Sequence, residues 1–439
     1  MMSAFRKLAP SEIATLEAQG CSSTGWDLVE VAPGFSAEAV KRVHFAGRIR
    51  IGASCTLEDI GLLECTAGAD FGIGRSVSVL DETGGRSVVM HTGLNWQEAL
   101  DTALGRRAQE IPECLPEVME IGEGASVRRC GAVRNVNVGP FARLEGASLL
   151  ENGTISSSAE APSFTGISVI AKGFVFAEGS HIDGASQLKD CFVGQASRID
   201  CGFSAEESLI FSNCHFEKGE ACAIIAGPFT VSHHKSSLLI GGVYSYFNAG
   251  SGTNFSNHLY KTGPVHWGIC EKGVKTASGA YLAWPARIGA HSLVMGKHSS
   301  HPDTSAFPFS YLVEGEAGQS RLIPGVMLKS WGLRRDGEKW KSRDRRTSKC
   351  LSDTLEPEIF TPAMHEAIKK AAFTLEAALV GGNPKYQGRG YSITSSDMVK
   401  GLEYYRLALR EIESGDGALK ALALEDKKKD EALATSFQN

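Results

Sequence analysis

The amino-acid sequence predicts a mainly β protein, built as a parallel β-helix with an inserted helix and a C-terminal α-helical subdomain. Three observations predict this fold. Aliphatic–glycine pairs recur along the chain, aliphatic residues return at intervals of six, and helical patterns replace the repeats after about residue 325. We therefore expect a lead-in over 1–37, the β-helix over 38–325, and a basic hairpin or loop followed by C-terminal helices over 326–439.

The bulk composition fits a folded chain without nucleic-acid or membrane partners. Of the 439 residues, 42% are hydrophobic and 22% are charged, and the net charge of −5 gives no sign of general nucleic-acid binding. The eleven cysteines are scattered and form no CxxC pair, as is typical of reduced thiols in the cytoplasm. No signal peptide or long apolar span is visible, so we expect a cytoplasmic protein.

Short aliphatic–glycine pairs followed by small residues mark the repeat. Ile121 is followed by Val127 and Val133 at steps of six. This period is not helical; it suits a short strand and a sharp corner, repeated around a triangular coil. The residues expected to point inward are Ile51, Ile73, Ile121, Val138, Val193 and Ile288. An antiparallel β-sandwich with glycine-rich turns is the alternative.

One helix is expected to interrupt the repeats, and three to follow them. Asn95 can cap a helix, with Glu98 three residues later, which predicts a helix over 96–108 inside an insertion near 95–118. Apolar spacing predicts the later helices over 357–380, 396–413 and 417–433, with a loop between the first two.

Two resemblances follow from these motifs. The Ile-Gly-x-x-Ser and Val-Gly-x-x-Ser pieces resemble the hexapeptide-repeat superfamily, whose trimeric acyltransferase-type members are left-handed β-helices. Residues 211–242, FSNCHFEKGEACAIIAGPFTVSHHKSSLLIGG, and 254–268, NFSNHLYKTGPVHWG, look like an uncharacterised bacterial family, the domain-of-unknown-function 4954 group, as does the basic segment WGLRRDGEKWKSRDRR at 331–346. The second resemblance supports the fold and implies no particular reaction.

The superfamily resemblance implies chemistry and assembly. Its members commonly transfer an acyl group from a thioester to a sugar or an amine with a histidine as the base, and they usually form homotrimers. Another branch, the γ-class carbonic anhydrases, binds metal through histidines. By resemblance we therefore expect a homotrimer with no tightly bound cofactor and acyl-CoA as the donor.

Chemistry-bearing residues concentrate in 211–303, which holds eight of the twelve histidines. If 254–260 is a strand, Asn254, His258 and Tyr260 alternate onto one face, which suits holding a hydroxylated substrate and taking its proton. Asn257 joins that face only if the strand bends. The alternative is that Asn257 forms a stacked asparagine ladder inside the coil and His258 is merely solvated.

The full site hypothesis assigns each residue a role. The catalytic residues would be His258, His234 and His266; the substrate-binding residues would be Asn254, Asn257, Tyr260, Lys261, His233, Lys235, Arg334, Arg335 and Arg343. His233 and His234 are adjacent and point to opposite faces of a strand, so at most one of them joins any site.

Two further groups are candidates for other chemistry. His291, His298 and His301 are the alternative set of metal ligands, with Asp303 as a carboxylate that could orient a histidine. The basic segment 329–349 contains nine Lys or Arg residues and three acidic residues, and it could bind phosphates. Its alternative is a solvated hairpin over Trp331 and Trp340, held by internal ion pairs.

Three functions follow as hypotheses. The first is a transferase that moves an acyl group onto a phosphorylated or nucleotide-linked sugar. The second is a non-enzymatic scaffold that uses the β-helix as a docking face. The third is a metal-dependent hydrolase or lyase of the γ-carbonic-anhydrase kind.

Overall fold

The computed structural model describes residues 5–80, 85–109, 117–256 and 266–436. The chain is mainly β, a parallel β-solenoid with a few helices that include the C-terminal ones, as the repeats predict. It divides into two compact units. The first is Met1–Phe229 with Arg345–Thr354, and the second is Thr230–Asp344 with Leu355–Asn439.

The first unit stacks its coils in register along three inward-facing rows. Val133 pairs with Leu150, Ile182 with Ile199 and Val193 with Ile210, each pair 17 positions apart and fully buried. Three strands per coil therefore account for the expected period of about six. The strands are Arg6–Lys7, Ser22–Ser23, Val29–Val31, Val40–Gly47, Ile49–Ile51, Thr56–Cys65, Ser76–Ser78, Ser87–Val89, Met119–Ile121, Ser126–Arg128, Ala132–Val138, Arg143–Glu145, Leu149–Ile155, Phe164–Thr165, Ile170–Phe176, His181–Ile182, Gln187–Val193, Arg198–Asp200, Ser204–Glu206, Leu209–Ile210, His215–Glu217, Glu220–Cys222 and Ile225–Ala226.

The second unit continues with parallel coils of slightly different spacing. Cys270 pairs with Ile288, and Thr276 with Val294, each 18 positions apart. Its strands are Val231–Ser232, Leu238–Ile240, Gly242–Tyr244, Asn254–Phe255, Gly268–Cys270, Lys275–Thr276, Tyr281–Leu282, Arg287–Ile288, Leu293–Val294, Lys297–His298, Tyr311–Glu314, Ser320–Ile323, Lys385–Gly388 and Tyr391–Thr394.

Six α-helices complete the described fold. They are α1 Pro10–Ala18, α2 Trp96–Ala103, α3 Trp331–Ser342, α4 Pro362–Val380, α5 Ser395–Ser414 and α6 Ala418–Ser436; the short 3₁₀ helices are Trp26–Leu28, Ala37–Ala39, Glu316–Gly318 and Val326–Lys329. α2 lies in the expected insertion, where the Asn95 Oδ1 accepts the Glu98 N–H at 3.0 Å as a helix cap.

The coil begins earlier than the sequence indicates. Ser22–Ser23 already pairs in parallel with His44–Phe45, and Val29–Val31 pairs with Ile49–Ile51. The expected lead-in over 1–37 therefore contains α1 and also the first coil strands, whose two or three residues are too short to show a period.

Three other local expectations need correction. Ile73 does not point into the coil: it lies in a turn after the strand Thr56–Cys65 and is only half-buried. The basic segment forms α3 rather than a hairpin, because Ser330 caps it and Leu333 and Trp340, seven apart, share one face. The expected loop between α4 and α5 contains a hairpin in which Tyr386 pairs with Ile393.

Candidate functional site

The described members of the predicted histidine site lie at separate strand ends and turns of the second unit. Asn254 begins a strand, is half-buried, and accepts the Ser256 N–H at 3.2 Å. His233 and His234 follow Val231–Ser232 with ring centroids 4.4 Å apart, and His234 is exposed. Lys235 is exposed in the same turn, whereas His266 is buried. Asn257, His258, Tyr260 and Lys261 lie outside the described residues.

The three histidines of the metal hypothesis do not converge. His298 points into the coil beside Leu282, and its ring nitrogens bond Ser320 Oγ at 2.9 Å and the Met295 carbonyl at 3.0 Å. Both nitrogens that could bind a metal are therefore engaged. His291 is buried at a corner of the coil, and His301 is half-buried.

Within the described ranges, one group of three potential metal ligands has donor atoms close enough to share an ion, namely Asp200, Cys201 and Glu217 in the first unit. Asp200 already pairs with Arg198 at 2.5 Å, and Glu217 with Lys218 at 2.9 Å. These internal ion pairs satisfy the carboxylates without a metal.

The arginines of α3 differ in their surroundings. Arg334 pairs with Glu411 of α5 at 2.7 Å, and both side chains are mostly buried. Arg335 and Arg343 are exposed. Partial burial, followed by the charges of Arg335 and Arg343, lowers the pKa of Lys339. Arg334 is thus held by a protein carboxylate, while the other two arginines face solvent.

A cleft of about 220 Å³ lies in the second unit, and we name it the Arg287 cleft. Three parallel coils contribute to it in register, because Ile269 pairs with Arg287 and Arg287 with Asp303. The C-terminal hairpin adds Arg389, whose carbonyl accepts the Asp303 N–H at 2.9 Å. The lining is Trp267, Gly268, Ile269, Pro285, Ala286, Arg287, Asp303 and Arg389.

Charges in and behind the Arg287 cleft are coupled. Arg287 donates from Nε at 2.9 Å and from Nη2 at 2.7 Å to Oε1 of Glu271, and Glu271 Oε2 accepts the Ala290 N–H at 3.2 Å. Burial raises the pKa of Glu271; Arg287 opposes this rise and Asp303 adds to it. A carboxyl group with a raised pKa beside a cleft is a common feature of functional sites.

Asp303 is oriented by its own turn. Its Oδ1 accepts the Ser305 N–H at 3.2 Å and the Ser305 hydroxyl at 2.7 Å. Burial raises the pKa of Tyr391, with smaller contributions from Tyr386 and the Asp303 carboxylate. The Asp303 carboxylate therefore contributes to the raised pKa of both Glu271 and Tyr391.

The Arg287 cleft has the chemistry of an anion site. No described residue pairs with the Arg389 guanidinium, and Arg287 keeps half of its side chain exposed. Guanidinium groups bind phosphate or carboxylate oxygens through paired N–H donors. The ring of Trp267, half-buried in the wall, offers an apolar surface beside them.

Sequence reasoning missed Arg287, Arg389 and Trp267. Arg287 directly precedes the inward Ile288 of an aliphatic–glycine pair, so its side chain must point outward. Arg389 lies between Gly388 and Gly390, an unusual place for a long cation in a tight turn. These two local signals mark exposed arginines, but neither predicts that they meet.

Comparison with known proteins gives a family and a distant relative. The profile of the domain of unknown function DUF4954 matches residues 5–56 and 49–378. An uncharacterized protein of Treponema pallidum (strain Nichols) is 22% identical over 451 residues, covering 86% of this chain. The chain spans 62% of that relative's length. Over the described residues, no helix is both long and apolar enough to cross a membrane.

Proposed function

The chain belongs to the DUF4954 family, and from that premise we propose that it is a transferase acting on a phosphorylated or nucleotide-linked sugar. The observation that carries the proposal is the Arg389 guanidinium, which lines a cleft beside Arg287 and pairs with no described residue. An unpaired guanidinium at the wall of a cleft favours an anionic ligand. The adjacent Trp267 suits packing against a sugar ring or a base.

The proposed chemistry is acyl transfer from acyl-CoA, which binds as a co-substrate and is not held tightly. A sugar hydroxyl or amine attacks the thioester carbonyl carbon, the new C–O or C–N bond forms, and the C–S bond breaks. The substrate proton passes to a histidine, which delivers it to the CoA sulfur as the C–S bond breaks, so that CoA leaves as the free thiol. We assign His258 as that base, with His234 and His266 assisting, on the grounds given by the sequence.

Substrate positioning is assigned to the remaining predicted residues. Asn254, Asn257 and Tyr260 would bind sugar hydroxyl groups. Lys261, Lys235, Arg335 and Arg343 would attract phosphate, and His233 would do so only in place of His234, since the two point to opposite faces. Arg287 and Arg389 are added to this set. Arg334 is removed, because Glu411 already occupies its guanidinium.

Membership of the hexapeptide-repeat superfamily is part of the proposal. Its support is the register of 17 positions in one unit and 18 in the other, since three faces of six residues require about this spacing. On this basis we expect a homotrimer. Light scattering at micromolar concentration should give a mass of three times 46.9 kDa. A mass of one chain would exclude that assembly.

A thermal-shift screen tests the ligand class. N-acetylglucosamine 1-phosphate and UDP-N-acetylglucosamine should raise the melting temperature, because a ligand at 100 times its Kd stabilises the native state by about 2.7 kcal/mol. Free N-acetylglucosamine should give a much smaller shift. Arg389→Ala should weaken binding about tenfold or more, since losing a charged hydrogen bond costs roughly 1.5–3 kcal/mol.

The matched control is Arg406→Ala, at an exposed arginine of α5 that pairs with Glu376. It should leave the ligand-induced shift unchanged. If sugar phosphates and acyl-CoA give no shift, the scaffold hypothesis replaces the transferase. If metal analysis of the purified protein finds stoichiometric zinc, the hydrolase or lyase hypothesis replaces it.

A further inference from the structure

A second polar cavity, of about 440 Å³, lies in the first unit beside α2. It is lined by His91, Asn95, Gln97, Glu98, Asp101 and Arg107, and Ala108 is the one apolar residue in the described lining. We name it the His91 cavity. The candidate transferase site does not use any of these residues.

His91 and Glu98 form a hydrogen-bonded pair at the wall of this cavity. His91 Nε2 lies 3.0 Å from Glu98 Oε1, and His91 is 9% exposed. Gln109 Nε2 donates to the same oxygen at 3.1 Å, and Asn95 Nδ2 approaches Oε2 at 3.4 Å. The amide nitrogens of Gln109 and Asn95 therefore face this carboxyl group, one toward each oxygen.

The orientation of Gln109 is fixed by its backbone partner. Its Nε2 donates to the Val89 carbonyl at 2.8 Å, and its Oε1 accepts the Val89 N–H at 2.8 Å. The amide nitrogen therefore faces Glu98, and the carboxylate needs a proton on His91 Nε2. The tautomer that results leaves a lone pair on His91 Nδ1, and no described residue bonds that nitrogen.

The element that carries Glu98 is held at its beginning. The Asn95 Oδ1 caps α2 by accepting the Glu98 N–H, and the Trp96 N–H donates to Asp353 Oδ1 at 2.7 Å. A carboxylate that fixes the tautomer and orientation of an imidazole is an arrangement found at functional sites. Here the carboxylate and the imidazole are fixed before any ligand binds.

The lining indicates which ligand would fit. In the described lining the carboxyl groups of Glu98 and Asp101 accompany one guanidinium, that of Arg107, so this lining does not favour phosphate. The described lining contains no aromatic side chain that could stack on a base. Its amide, carboxylate and guanidinium groups suit the hydroxyl groups of a neutral sugar or polyol.

We propose that the His91 cavity is a binding site for a neutral hydroxylated molecule of monosaccharide size, in which His91 receives a ligand hydroxyl. A ligand hydroxyl donates a hydrogen bond to the lone pair of His91 Nδ1, and Glu98 holds the imidazole in place through Nε2. Glu98 is the positioning residue. This site is independent of the Arg287 cleft, in residues and in ligand charge.

Saturation-transfer NMR with N-acetylglucosamine, ribose and myo-inositol tests binding on the full chain. At least one of these ligands should show saturation transfer with the wild type and with Arg389→Ala, which separates this proposal from the sugar-phosphate one. His91→Gln should reduce the signal at least fivefold. The absence of transfer from all three ligands, or an undiminished signal in His91→Gln, overturns the proposal.

The matched control is His365→Gln, because His365 also pairs with a glutamate, Glu413, at 3.1 Å but lines no described cavity. It should leave the signal unchanged. If His91→Gln fails to fold, Asp101→Asn replaces it, since Asp101 lines the cavity without contacting the pair; it should also reduce the signal at least fivefold.

The tautomer of His91 can be measured directly. In a purely structural His91–Glu98 pair, ligand addition would not change the His91 resonances. Long-range ¹H–¹⁵N spectra of histidine-labelled protein should show His91 protonated at Nε2, with the Nδ1 resonance shifting when the ligand binds. Glu98→Gln should alter that tautomer pattern. Protonation at Nδ1 in the wild type, or an Nδ1 resonance that stays unchanged when the ligand binds, contradicts the proposed hydrogen bond to the ligand.

Discussion

The imidazole of His291 lies nearly parallel to the ring of Phe309, with ring centroids 5.0 Å apart and 11° between the planes. Both residues occupy coil corners 18 positions apart with left-handed backbone, φ 55° and 60°. His291 is 1% exposed, and neither ring nitrogen has a hydrogen-bond partner among the described residues. Burial, with the nearby charges of Lys272 and Lys275, lowers its pKa to about 3.

This burial predicts acid-sensitive stability. Between pH 6.5 and the folded pKa of about 3, the unfolded chain protonates His291 and the folded chain does not. Above pH 6.5, His291 therefore does not lower the free energy of unfolding. As the pH falls from 6.5 towards the folded pKa, the free energy of unfolding decreases. One such group removes about 2 kcal/mol of unfolding free energy between pH 6.5 and pH 4.5.

His291→Phe keeps the ring stack and removes the titrating group. Urea unfolding of both proteins at pH 4.5, 5.5 and 6.5 should show the wild type losing about 2 kcal/mol more than the variant. The remaining titratable groups are the same in both proteins. The difference between their losses of unfolding free energy therefore reports on His291 alone. If the unfolding free energies of the two proteins changed with pH in the same way, His291 would have to protonate in the folded state.

Asp353 anchors the segment 345–354 within the first unit, to which this segment belongs. Its Oδ2 accepts the Ser212 N–H at 2.9 Å and the Ser212 hydroxyl at 2.5 Å, and its Oδ1 accepts the Trp96 N–H at 2.7 Å. Asp353→Asn replaces one acceptor with a donor that faces other donors. We expect a loss of about 3 kcal/mol, because hydrogen bonds to a buried charge contribute roughly 1.5–3 kcal/mol each.

Chemical denaturation measures this loss, and Asp430→Asn on the exposed side of α6 is the control. The control should change the unfolding free energy by less than about 0.5 kcal/mol. Equal effects of the two substitutions would show that the Asp353 contacts are not formed in solution.

The coil was predictable from sequence because its inward residues repeat. Val133 and Leu150 face the same interior, and glycine marks the corners where the chain turns sharply. The same aliphatic–glycine pattern gives a wrong prediction at Ile73-Gly74, because this pair of residues also occurs in ordinary turns. α3 was missed because charged residues and two glycines hide the face formed by Leu333 and Trp340.

The Arg287 cleft was harder to predict, for a different reason. Arg389 reaches Asp303 from a hairpin 86 positions further along the chain. Nothing in the local sequence of either residue encodes that contact, since packing of the C-terminal hairpin against the coil creates it. The same holds for the pair of Glu271 and Arg287, which lie 16 positions apart on successive coils.

The predicted base gives a direct test of the transferase proposal. His258→Ala should abolish acyl transfer to the sugar phosphate found by the thermal-shift screen, because it removes the base that takes the substrate proton. The melting temperature should change by little if the side chain lines a groove. The assay is release of free thiol from acyl-CoA.

His365→Ala is the control for the same substitution at a surface histidine, and it should retain full activity. Loss of folding in His258→Ala would indicate a structural histidine. Full activity in a folded His258→Ala protein would remove it from the mechanism.

Arg334 tests whether the basic segment binds phosphate or holds the helices together. It pairs with Glu411 Oε1 at 2.7 Å, and Glu411 Oε2 also accepts the Lys420 N–H at 3.0 Å, so one carboxylate ties α3, α5 and α6. We expect Arg334→Ala to lower the unfolding free energy by about 1–2 kcal/mol, more than an exposed ion pair contributes, because both partners are mostly buried.

A double-mutant cycle with Glu411→Gln should recover a coupling of about 1 kcal/mol or more, which identifies the pair as the source of the loss. Arg335→Ala, the exposed neighbour, should change stability by less than about 0.5 kcal/mol. Its contribution, if the phosphate hypothesis holds, would appear as a smaller thermal shift with sugar phosphate. Arg334→Ala with unchanged stability and a lost ligand shift would reverse the assignment, because the guanidinium would then serve the ligand rather than Glu411.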